Sequence, residues 1–192
     1  MGKGKPPMKL DDWKGLRVRA PGAVGDAFKI LGSHISTVPA VELYTAMERG
    51  TVDAGSFPFT YGHAAYQLHT ISTWSTANLS PGIAGCSAVM SKTAYGKLPP
   101  AYKKALDDAQ PEAAKAMIAA YRAADVTNLP LFKAKLTEVR YSDDDLKKFR
   151  EIAGKPVWDK WLADNQPKFD AKGVLDALLK NIDAAKTKLG KK

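Results

Sequence analysis

From Asp11 to about Tyr66 the apolar positions follow two spacings in turn, one of period two and one near 3.6. In "GLRVRAPG", Leu16, Val18 and Ala20 alternate with Arg17 and Arg19 and stop at Pro21-Gly22, which predicts a short strand. "GAVGDAFKILG" then carries Ala23, Ala27, Ile30 and Leu31 at helical spacing, and Ile35 to Val38 reads as a second strand. "PAVELYTAMERG" opens a helix at Pro39, sets Val41, Leu43, Tyr44 and Met47 along one stripe, and ends at Gly50. "TVDAG" is a third short strand running into "SFPFTYG", a loop rich in aromatics. Strands separated by helices of this length predict βαβ units and a parallel sheet.

The second half changes character. "GIAGCSAVMS" reads as one more buried strand, and beyond it the chain is nearly all helical. The pattern predicts helices over about Leu98 to Lys135, Ser142 to Asn165 and Asp170 to Leu189, with a short edge strand at Glu138 to Ser142. Pro111 should kink or split the first of these helices. Ser142 and Asp145 resemble a capping pair, with Asp143 and Asp144 suited to a helix N-terminus. The expected fold class is therefore α/β with a helical C-terminal half and a sheet too small to stand as a doubly wound domain. The pattern divides the chain into a basic segment at 1–9, an α/β domain at 10–81, and a strand followed by long helices at 82–192, which the resemblance described below makes a crossover strand.

The formal charge of +9 invites a nucleic-acid reading, so its location matters. Residues 10–179 carry a net of only +2, and the excess sits at Lys3, Lys5 and Lys9 and among the lysines after residue 179. Basic ends on a balanced body read as solvated tails rather than a phosphate-tracking face. A basic interaction protein that binds nucleic acid or anionic surfaces through those ends is the alternative function. Cys86 is the single cysteine, which excludes an intrachain disulfide and a cysteine-based zinc site; its apolar surroundings suggest a small buried thiol. His34, His63 and His69 lack metal-ligand spacing and read as surface or packing residues, so no metal and no cofactor is expected. There is no P-loop, no three-glycine dinucleotide fingerprint and no nucleophile elbow. Without a nucleophile–base pair the chain is not expected to be an enzyme. Recognition remains.

Three blocks carry a resemblance. "LDDWKGLRVRAPG", then "ELYTAMERGTVD" ten residues beyond Gly32, then "SKTAYGKLPPAYKKAL" are similar to the solute receptors of tripartite ATP-independent periplasmic (TRAP) transporters of the C4-dicarboxylate-binding type. The blocks recur in order and at compatible spacing, and the likeness runs from about Lys5 to the C-terminus. It implies a two-lobed periplasmic-binding-protein fold, closing on a small organic acid that is passed to the transporter's membrane subunits. Arg19 matches the family arginine that pairs with the ligand carboxylate, and a guanidinium suits that task because its planar fork meets a carboxylate at two points. The structural alternative for Arg19 is a salt bridge to Asp53.

Phe57, ahead of Pro58, matches a pocket-lining position where some members carry asparagine, and so favours a less polar ligand. Phe59 and Tyr61 either line the same pocket or plug the core beneath it. Ser80 is placed at the pocket edge, and Arg17, where members usually carry lysine, is expected to be solvated or on the lobe surface. Ala54 stands where the family usually has glycine. The resemblance places this chain at the second lobe, with most of the first lobe and the export signal absent. From that follow a periplasmic location, weakened ligand binding in this form, and self-association through apolar surface that a first lobe would cover.

Overall fold

The computed structural model describes residues 1–82, 88–188 and 190. They form two compact units, 1–142 and 143–192. In the first unit, β1 (Arg17–Arg19) is central, with β2 (His34–Ser36) on one side and β3 (Ala54–Gly55) on the other, both parallel to it. α1 (Gly22–Ile30) joins β1 to β2, and α2 (Leu43–Glu48) lies between β2 and β3. This is the βαβ arrangement the alternating pattern predicts. Gly22 makes the turn from β1 into α1 at φ 48°, a left-handed conformation that a side chain would strain.

A second parallel pair consists of β4 (Trp74–Thr76) and β5 (Thr137–Val139). β5 shares only Glu138 and Val139 with the edge strand expected at Glu138 to Ser142, and residues 140–142 are not strand; β4 was not expected. What joins this pair to the three-stranded sheet is the N-terminus. Gly2 bridges antiparallel to both Ala54 and Trp74, and the Lys3 amide donates to Asp53 O at 2.9 Å. The basic segment 1–9 is therefore not a solvated tail. Met1, Gly2 and Pro7 are buried, and Lys3 Nζ donates to the Met47 and Glu48 carbonyls at the end of α2. Unpaired sheet edges on β3 and β4 are the physical reason: main-chain donors and acceptors there recruit any extended neighbour. Gly2 fits because an added Cβ would stand 2.3 Å from the Trp74 ring.

Two apolar clusters hold this unit. Met1, Leu43, Met47, Val52, Leu68, Phe132 and Leu136 form the first. Trp13 lies against Phe28 and edge-on to Trp74, with ring centroids 4.5 and 5.8 Å away, and its indole N–H donates to the Tyr141 hydroxyl at 2.8 Å. That hydroxyl in turn donates to Pro7 O, so a buried polar pair is satisfied.

Short helices α3 (Tyr61–Ala65) and α4 (Lys92–Lys97) precede α5, which runs unbroken from Pro100 to Lys135. The expected split at Pro111 does not occur. The carbonyls that Pro111 and Pro130 leave without a helical donor belong to Asp107 and Val126, both exposed, so water can take over the lost bonds. Of the predicted strand at 82–91, residues 83–87, including Cys86, lie outside the described residues, and 88–91 are exposed and not strand.

The second unit comprises α6 (Asp143–Phe149), a π turn (Arg150–Gly154), α7 (Lys155–Asn165) and α8 (Ala171–Lys188). The predicted helix over 142–165 thus carries one wide turn, closed by the Lys155 amide on Arg150 O. Pro156 follows immediately, where its missing N–H is tolerated at a helix start.

Candidate functional site

The strand order β2-β1-β3 sends the chain from β1 to one side and brings it back past β1 to the other. Connections leaving the carboxyl ends of β1 and β3 therefore diverge, and a crevice opens there. The structure has a cleft of about 860 Å³ at that place, entirely within the first unit. Arg19, Phe57, Phe59 and Ser80, the four residues expected from the sequence, all line it. Tyr61 does not; it packs against Tyr121, which does.

Arg19 ends β1 and is half-buried. Its Nε donates to Val38 O at 3.2 Å and its Nη1 to Ser56 O at 3.3 Å, and its Cζ lies 4.9 Å from the centre of the Phe57 ring. All three partners are neutral. No carboxylate among the described residues pairs with it, so its charge is left for the cleft. The salt bridge to Asp53 belongs to Arg17 instead, whose side chain is 46% exposed and so forms a surface ion pair. Arg17 Nε and its backbone amide reach Asp53 Oδ2 at 2.9 and 2.8 Å, and Nη2 takes the other oxygen. These bonds hold the Asp53 carboxyl below the usual carboxylate range. The two arginines share a face of β1, but β3 brings its acid to the start of the strand and only carbonyls to its end.

Phe57 is half-buried, stacked on Tyr66 with centroids 4.8 Å apart and edge-on to His63 at 5.9 Å. Val24 and Phe28 from α1 and Met117, Ile118 and Tyr121 from α5 make the cleft mostly apolar. Phe59 and Ser80 are exposed at its edge. Sequence reasoning missed the α5 wall and His63. Met117, Tyr121 and Asp125 recur every four residues, so a helical face was legible, but nothing in the pattern said what it faces. Asp125 accepts from the Thr60 hydroxyl at 2.8 Å and so ties α3 to α5 beside the cleft.

His63 is buried, with Nε2 3.3 Å from Gly55 O. Burial holds its pKa well below the usual value, and burial pushes the Met1 α-amine down to about 5. Both bases are charged more readily in the unfolded chain, so acid favours unfolding from about pH 8 downward, through the window in which the unfolded groups take up protons. Thermal melts between pH 8 and pH 5 are expected to show a steadily falling midpoint, with a loss on the order of 3 kcal/mol. Protonation of Asp53 adds to the loss below about pH 4. A midpoint independent of pH over that range would contradict the buried placement of both bases.

Among the described residues no group of histidine, cysteine or acidic side chains could hold a metal ion, and no helix is long and apolar enough to cross a membrane. A solute-binding protein of Albidiferax ferrireducens is 27% identical over 172 residues, covering 85% of this chain and 49% of the relative. A monocarboxylate 2-oxoacid-binding periplasmic protein of Nostoc sp. is 26% identical over 174 residues, covering 80% of this chain and 46% of the relative. The chain thus spans about half the length of the curated relatives it matches. The crystal structure of a TRAP solute-binding protein from Rhodoferax ferrireducens, in complex with copurified benzoate, superposes with a TM-score of 0.76 at 22% identity, over 98% of this chain and 60% of that one. The family profile described as bacterial extracellular solute-binding protein, family 7, matches residues 1–165, and the chain belongs to that family.

Proposed function

We propose that this chain supplies the carboxylate-binding wall of a TRAP-type solute receptor. The observation that carries the reading is a half-buried guanidinium at the end of the central strand, facing an apolar cleft, with only neutral partners. A small organic acid places its carboxylate on Arg19 and its carbon skeleton against Phe57 and the α5 wall. Few polar anchors in an apolar hollow of this size is how small-molecule sites are usually built. Phe59 and Ser80 border the entrance. Relatives described as binding a 2-oxo monocarboxylate and benzoate support a monocarboxylate with an apolar body. A periplasmic location and delivery to TRAP membrane subunits belong to the same reading. So does self-association, for which the exposed Tyr102 and Leu106 of α5, outside the cleft, offer apolar surface.

Benzoate and its uncharged isostere benzamide separate carboxylate recognition from simple filling of an apolar hollow. At about ten times its dissociation constant, benzoate is expected to stabilise the chain by about 1.4 kcal/mol, raising the melting midpoint by roughly 3–6 °C. Benzamide at equal concentration is expected to leave the midpoint unchanged. Equal shifts from the two would remove the carboxylate from the recognition.

A further inference from the structure

Two arginines line the cleft, and they are held differently. Arg19 is half-buried, with two of its donors on Val38 O and Ser56 O. Arg122, on α5, is exposed and enters no hydrogen bond or ion pair among the described residues. The ion pairs of α5 are Lys104–Asp108 and Lys115–Glu112, both nearer its start. Asp125 follows Arg122 by three residues, a spacing at which opposite charges on a helix meet. It takes another partner. Its Oδ1 accepts from the hydroxyl of the fully buried Thr60 at 2.8 Å, and Asn128 Nδ2 donates to that same hydroxyl at 3.4 Å. Asp125 is thereby held toward α3, and Arg122 keeps its charge unpaired and its side chain free to turn.

Helical geometry says where that charge stands. Met117, Ile118, Tyr121, Arg122 and Asp125 are the α5 residues of the cleft wall. At 3.6 residues per turn they span about 140° of the helix surface, with Met117 and Arg122 at its two margins. Arg122 is thus at the rim and in water, whereas Arg19 lies deeper, at the end of β1. Besides these two arginines the only charged side chain of the lining is Asp125, so cations outnumber acids there. We propose that Arg122 is the capture residue of the cleft: it draws the organic anion in from solvent and speeds its arrival at Arg19, without holding it once bound. This goes beyond the carboxylate reading above and rests on it. Attraction of this kind acts through water, so it changes the rate of encounter and is screened by salt, within about 10 Å at 0.1 M and about 3 Å at 1 M.

Association and dissociation rates of benzoate, from line-shape fits of NMR titrations, separate capture from holding. At about 20 mM salt, Arg122→Gln is expected to slow association about twofold to fivefold, the effect of one unit charge about 4–10 Å from the entry path. Arg122→Glu reverses the charge and is expected to slow it about fivefold to twentyfold. Dissociation is expected to stay within about twofold in both, and at about 1 M salt the three association rates are expected to converge. Both variants should fold, because the side chain they replace is exposed and bonds to nothing. Arg49→Gln removes the same charge just beyond α2, outside the cleft, and is expected to leave both rates unchanged. Equal association rates at low salt, with affinity still dependent on Arg19, would overturn capture and leave the carboxylate reading intact. An effect carried by dissociation would make Arg122 a contact of the bound acid and overturn capture as well. So would equal slowing by Arg49→Gln, which would trace the effect to net charge. Affinity unaffected by Arg19→Ala would overturn the carboxylate reading, and capture with it, as would no benzoate binding at about tens of millimolar.

Discussion

Arg19→Ala is expected to weaken benzoate binding by roughly tenfold to a hundredfold, the loss of one or two charge-assisted hydrogen bonds at a half-buried site. Arg19→Lys should fall between the two. Lysine keeps the charge but presents a rounded ammonium in place of a planar fork, so it meets one carboxylate oxygen where the guanidinium meets both. Benzoate titrations followed by amide chemical shifts would rank the three proteins. Folding should be preserved in both variants, because the native bonds of Arg19 go to Val38 O and Ser56 O at 3.2 and 3.3 Å near solvent rather than to a buried acid. Unchanged affinity in both variants would assign Arg19 to the scaffold, holding the β1 end against the Ser56–Phe57 turn.

The largest stability effect is expected at Trp74. The side chain is fully buried, edge-on to Trp13, and its indole N–H donates to Lys3 O at 3.1 Å. Its backbone pairs with Gly2 on one side and with Thr137 on the other. Trp74→Ala removes the plate on which the N-terminal segment lies and opens a cavity at the junction of the three-stranded sheet and the β4–β5 pair. The cost should be about 3–5 kcal/mol, seen as a fall in melting midpoint of roughly 10 °C. Because Ser75 and Thr76 follow it into the cleft wall, carboxylate binding should weaken in parallel. Hydrogen exchange at Gly2 and Lys3 should accelerate more than at β2, which is remote from the substitution. A loss under about 1 kcal/mol would mean that the N-terminal segment is not held by this residue.

The first three strands and their helices were legible because each follows a local rule. Alternation at Leu16 to Ala20, a helical stripe ending at Gly50, and glycine or proline at each turn are features of neighbouring residues. β4 was not legible. "TWSTA" holds one large apolar residue, and it becomes a strand because Gly2 and Thr137 pair with it across long stretches of chain. The N-terminal segment misled for the same reason. Its lysines read as a solvated tail, yet its backbone fills the gap between two sheet edges, and Lys3 finds the carbonyls at the end of α2. Composition reports side chains, whereas unpaired main-chain groups decided this placement.

The candidate site divides in the same way. Arg19 lies inside the first resembling block and Phe57 four residues beyond the second, so the resemblance could name both. Which arginine takes Asp53 could not be named, since residues 17 and 19 share one face and the choice depends on the register of β3 against β1. The burial of His63 was equally invisible, because it depends on Gly55 and Phe57 closing on the ring. By itself the sequence determined the βαβ order, the long helices and the family. Only the tertiary structure decided which charges cancel, which face the cleft, and where the chain's first residues go, because each of those depends on contacts between segments that no local pattern encodes.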